Sequence, residues 1–115
     1  MDKNGSRWLW MFQAASGLAL VLLLGLHWAA QHYLASGGLR SFAEVADYLR
    51  QPLALALELI FLMVVSGHAL LGVRAILLDL GLHPRLQRSL DISLWLVGIL
   101  TVLYGFQLVL QIINE

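Results

Sequence analysis

The chain has no cysteine, which excludes disulfides, thiolate catalysis and an iron–sulfur cluster held by its own residues. Charge is nearly as scarce. Seven Lys and Arg balance seven Asp and Glu, so charged residues make up 12% of the 115. A soluble domain carries about a quarter. Zero net charge leaves no bulk field for nucleic acid. A carboxylate pair, a nucleophile elbow and a phosphate-binding loop are all missing from the sequence, so catalysis by the chain alone is not expected. What is present is apolar: 60% of residues are hydrophobic and the mean hydropathy is +0.80. At this length a single domain, 1–115, is expected.

The apolar residues fall into three runs, and these predict helices over 8–33, 52–79 and 90–113. Each supplies the roughly 20 residues that a helix needs to cross the ~30 Å hydrocarbon layer. Lipid offers no partner for free backbone groups, and barrel strands are shorter and alternate in polarity, so helices are the expected solution. The first run is longer than a signal-peptide core and no small-residue cleavage site follows it, which predicts that it is retained. Ser36-Gly37-Gly38 ends the first helix, Pro52 suits the first turn of the second, and Gly81 with Pro84 separates the second from the third. Residues 41–50 read as a short amphipathic helix at the interface. The fold class is therefore an all-α integral membrane protein, with three transmembrane helices and an interfacial helix between the first and second.

Basic residues set the orientation. Lys3, Arg7, Arg74, Arg85 and Arg88 share one side, against Arg40 and Arg50 on the other. This favours a cytoplasmic N-terminus in the cell's inner membrane. Trp8, Trp10, Trp28, Tyr33, Tyr48 and Trp95 fall near the interfaces, as belt aromatics do. His32 and His83 lie at loop ends and read as interfacial.

Polar residues inside the spans are costly there, and for that reason informative. Gln13, Ser16, His27 and Gln31 fall within about 40° of one meridian of the first helix. On the second, His68, Gly72, Ala75 and Asp79 share a face, with Gly67 adjacent. A neutral imidazole is a strong axial ligand for haem iron, and short side chains leave a slot for a flat macrocycle. The same pattern also fits histidines hydrogen-bonded across helices, with glycines serving only close packing. Gly98, Thr101 and Gly105 give the third helix a small-residue face that reads as packing. Glu58 lies near His27 in depth and is expected to bond a haem or histidine, to serve proton movement, or to meet a structural partner.

The segments Trp10-x-x-Gln13-x-x-Ser16-Gly17, then His27, then His68-x-x-x-Gly72-x-Arg74-x-x-x-x-Asp79 resemble the membrane-anchor subunits of succinate dehydrogenase and fumarate reductase. The likeness is to the small D-type anchor of the two-haem class, over roughly residues 8–80. It implies that His68 ligates one b-type haem and His27 a second, each iron taking its other ligand from a C-type partner anchor. It further implies an iron–sulfur subunit, a flavoprotein subunit and a quinone substrate, in respiratory complex II. By position, Gly72 and Arg74 accompany the haem, Arg74 toward a propionate, although Arg74 is also placed to snorkel to the interface. Trp10, Gln13, Ser16 and Asp79 mark the quinone side. The tyrosine that commonly follows this aspartate is replaced by Leu80, which weakens the quinone assignment here. The alternatives are the b-haem subunit of another membrane oxidoreductase and a cofactor-free structural or assembly bundle.

Overall fold

The computed structural model describes residues 3–33 and 41–115. Four helices follow in order: α1 (Lys3–Tyr33), α2 (Phe42–Leu49), α3 (Pro52–Leu78) and α4 (Pro84–Asn114). Three of them, α1, α3 and α4, are long and apolar enough to cross a membrane. The expected Ser36-Gly37-Gly38 terminator and Arg40 lie outside the described residues.

Local chemistry explains the boundaries. Ser41 caps α2 with a capping box: its Oγ accepts from the Glu44 N–H, and Glu44 Oε2 accepts from the Ser41 N–H at 2.7 Å. Pro52 opens α3 at a position whose N–H has no helical acceptor. Gly81, at φ +67°, makes the reversal out of α3, a conformation that side chains resist. The third long helix begins at Pro84, well before the expected residue 90. Hydropathy marks where a helix enters lipid, whereas capping marks where it starts. Pro84 sits in the first turn, and His83 Nδ1 accepts from the Arg85 N–H at 3.3 Å. The polar turn around Arg85, Gln87 and Arg88 is already helical outside the apolar stretch.

The long helices form a row with α3 in the middle; among the described residues α1 and α4 do not pack on each other. Residues 16, 27 and 13 of α1 meet 68, 58 and 72 of α3, so the two run antiparallel. On the other side, the sites of Gly98 and Gly105 face Leu70 and Leu62, and Arg74 meets Asp91. The expected packing face on the third helix is thus reduced to its glycines. Thr101 is exposed and turns its hydroxyl back onto the Val97 carbonyl. The α2 helix lies across the ends of α3 and α4 and is tied there by Arg50 Nε, which donates to the Ile113 carbonyl at 3.1 Å.

Burial is inverted relative to a water-soluble protein. Among the described residues the buried apolar ones are Ala30, Ala46, Leu49 and Ala54, all small or medium-sized. Leu53, Trp95 and Trp8 are 84%, 73% and 67% exposed. Water does not tolerate so much continuous apolar surface on a lone chain. Lipid and partner helices do.

Candidate functional site

The seam between α1 and α3 carries two imidazoles at two levels. Ser16 is eleven residues from His27 on α1, about 16 Å along the axis. Because Ser16 touches His68, this is also the separation of the two rings along the bundle.

At one level, His27 Nδ1 lies 2.7 Å from Glu58 Oε2, and the Tyr48 hydroxyl donates to Glu58 Oε1 at 2.8 Å. Three helices meet in this chain of bonds, α1, α3 and α2. The Phe61 ring packs on the imidazole, centroid to centroid 5.0 Å. The His27 side chain is 33% exposed and that of Glu58 only 13%, so the carboxylate is the inner member.

At the other level, Ser16 Oγ lies 2.9 Å from His68 Nδ1. The same hydroxyl donates to the Gln13 carbonyl at 3.0 Å. A serine has one hydroxyl hydrogen; with that hydrogen on the Gln13 carbonyl, its oxygen is the acceptor toward a proton on His68 Nδ1. A Cβ at position 17 would lie 3.2 Å from His68 Cε1, so Gly17 is what lets α1 come this close to the ring.

Both rings therefore turn Nδ1 inward onto a protein partner. Neither Nε2 makes a hydrogen bond among the described residues. An imidazole fixed through one nitrogen presents the lone pair of the other, the arrangement found in histidines that bind metal. This chain brings one imidazole to each level, and among the described residues no three His, Asp or Glu side chains converge as a metal site.

The remaining sequence-based expectations distribute unevenly. Glu58 finds a histidine, one of the partners expected for it. Gly72 does not open a slot beside His68, because a Cβ there would meet Gln13 Nε2 at 3.3 Å and the gap is filled by that amide. The open position is Gly67, with nothing within 4 Å. Arg74 donates from Nε to Asp91 Oδ1 at 2.6 Å and from Nη2 to Oδ2 at 3.3 Å. Gln13 and Ser16 turn into the seam with His68, and the buried Gln13 Oε1 has no partner among the described residues. Trp10 is 71% exposed and Asp79, at the C-cap of α3, is also exposed, whereas Gln13 and Ser16 face the seam.

Two residues were missed. Tyr48 reads as a belt aromatic in the sequence but delivers a hydrogen bond to Glu58. Asp91 sits at the polar end of an apolar run, and its signal was the lone arginine at the matching end of the preceding helix.

A multi-pass helical membrane protein with two seam imidazoles, each held by its neighbour helix, is the class that fold and site define. The family described as succinate dehydrogenase/fumarate reductase transmembrane subunit matches residues 3–106, and the chain belongs to it. It is similar to the succinate dehydrogenase hydrophobic membrane anchor subunit of Archaeoglobus fulgidus, 35% identical over 103 residues, covering 90% of this chain and 87% of that one. The same-named subunit of Thermoplasma acidophilum is 30% identical over 100 residues, covering 87% of this chain and 81% of that one.

Proposed function

We propose that this chain is the small anchor of a succinate:quinone oxidoreductase and that it shares two b-type haems with a second, C-type anchor. His27 and His68 each supply one axial ligand through Nε2. The observation that carries this reading is the pair of Nδ1 bonds at separate levels, which leaves both Nε2 atoms available. The residues fit the group: neutral imidazoles are good iron ligands, and Gly67 next to His68 leaves open space beside the helix. A bound haem supplies one-electron exchange at a potential set by its axial ligands and surroundings.

The chain's own residues do the rest. Ser16 and Glu58 fix the ring tautomers and orientations. Apolar side chains of α1 and α3 keep water from the two levels, and the separation of about 16 Å spreads the levels across the membrane. The excess of basic residues at the His68 end supports a cytoplasmic N-terminus in the inner membrane, with the iron–sulfur and flavoprotein subunits docked on that side. Electrons from succinate then reach quinone near the same end. Gln13, with its unsatisfied oxygen, and the exposed Asp79 are this chain's candidates for polar contact there.

Haem content of the purified complex tests the reading. His27→Ala and His68→Ala are each expected to remove a different haem of two. If both variants keep the full complement, the ligand assignment is wrong. A second reading draws on the same bonds: the Nδ1 contacts serve helix packing only, and the complex carries no haem. It predicts a wild-type complex whose optical spectrum lacks the bands of b-type haem.

A further inference from the structure

We infer that Glu58 is the positioning residue for the ligand His27, and that Tyr48 of the interfacial helix holds Glu58 in place. The inference rests on the reading of His27 as an axial ligand.

Glu58 is an acid inside an apolar span, with only 13% of its side chain exposed. Such a group is costly in lipid unless both oxygens are engaged. Both are. Tyr48 occupies Oε1 at 2.8 Å and His27 Nδ1 occupies Oε2 at 2.7 Å. The tyrosine has a proton to give and the carboxylate only lone pairs, so the carboxylate accepts from both sides and the His27 proton sits on Nδ1. Nε2 is then the lone-pair nitrogen. Phe61 against the ring limits its rotation about the Glu58 bond.

A carboxylate behind a ligating imidazole does two things: it fixes the tautomer, and it raises the basicity of the metal-bound nitrogen. A more basic ligand favours ferric over ferrous iron. The same partner is absent at His68, where the acceptor is the neutral hydroxyl of Ser16. Removing the charge at Glu58 therefore acts mainly on the His27 haem, whose ligand it contacts. Tyr48 reaches Glu58 because α2 is pinned: its capping box starts the helix, Ala46 and Leu49 are buried, and Arg50 ties its end to α4. The interfacial helix is thereby part of the ligand's support.

Redox titration and low-temperature electron paramagnetic resonance of the assembled complex test this, comparing Glu58→Gln, Tyr48→Phe and Ser16→Ala with wild type. Glu58→Gln keeps the shape and loses the charge. We expect the ferric-to-ferrous preference of the His27 haem to fall about tenfold, a rise of about 59 mV for a one-electron couple, with a changed signal from that haem and none from the other. Tyr48→Phe moves the same haem in the same direction by less. Ser16→Ala moves only the His68 haem. A Glu58→Gln complex with an unaltered His27 haem, or one in which only the His68 haem shifts, overturns the inference. Should Glu58→Gln block assembly, Tyr48→Phe decides: a shifted His27 haem supports the inference and an unshifted one overturns it. His27→Ala in the same preparations separates the two claims, because retention of both haems there rejects the assignment of His27 as an axial ligand, on which the inference rests.

Discussion

The two ends of the α1–α3 seam hold their histidines by different means. At the His27 end a half-buried carboxylate, braced by a tyrosine from a third helix, fixes the ring. At the His68 end a neutral serine does it, and the approach is set by backbone, because Gly17 leaves no Cβ to keep α1 away. One end is organised by charge, the other by close packing. The first is expected to tolerate small changes in helix spacing as long as the acid and its donors remain, and the second is not. In a membrane this division has a physical sense: lipid supplies no hydrophobic drive for helix association, so small residues and polar bonds must carry it.

Substitutions can break this comparison. The largest effect is expected from Gly17→Leu, which inserts a side chain where even a Cβ would lie 3.2 Å from His68 Cε1. Overpacking of this kind costs about 3 kcal/mol. The His68 haem should be lost from the purified complex while the His27 haem is retained, as read by optical difference spectra. Loss of both would mean that the two ends are not independent.

Next in size is Arg74→Ala, which leaves the Asp91 carboxylate without its bidentate partner on the α3–α4 seam. The destabilisation expected is about 2 kcal/mol, read as a lower midpoint of thermal unfolding in detergent. Arg74→Ala with Asp91→Ala should recover part of it, and purely additive losses would show that the pair is not coupled. Gly17→Ala should be milder, displacing the ring by a few tenths of an ångström and shifting only the His68 haem spectrum. Ser16→Ala is the smallest, about 1 kcal/mol for one neutral hydrogen bond. Its unfolding midpoint should move less than that of Arg74→Ala, and the reverse order would show that the neutral bond of the α1–α3 seam outweighs the ion pair of the α3–α4 seam.

The architecture was legible because lipid imposes it. Long apolar runs, two prolines and a positive-φ glycine locate three crossing helices, and the interfacial helix expected over 41–50 is found with Ser41 and Arg50 as its caps. Less legible was what each polar residue touches. A helical wheel places Ser16 and His27 on one face of α1, but it does not say that Ser16 meets His68 and His27 meets Glu58. That depends on the antiparallel register of α3, which glycine packing sets. Gly72 illustrates the limit: a small residue beside a histidine suggests an open slot, yet the neighbouring helix fills it with Gln13. Tyr48 was obscured for a related reason. Its place near an interface accounts for a tyrosine in general, whereas its bond to Glu58 requires α2 to fold back over α3.

The central claim is that both seam histidines turn Nδ1 onto this chain and Nε2 onto iron. An experimental structure of the assembled complex, purified with its partner anchor, tests it most directly. It should show two haems at different depths, one coordinated by His27 Nε2 and one by His68 Nε2, with Glu58 and Ser16 still on the opposite ring nitrogens. A complex in which either Nε2 faces only lipid or a partner side chain, with no tetrapyrrole beside it, would contradict the account.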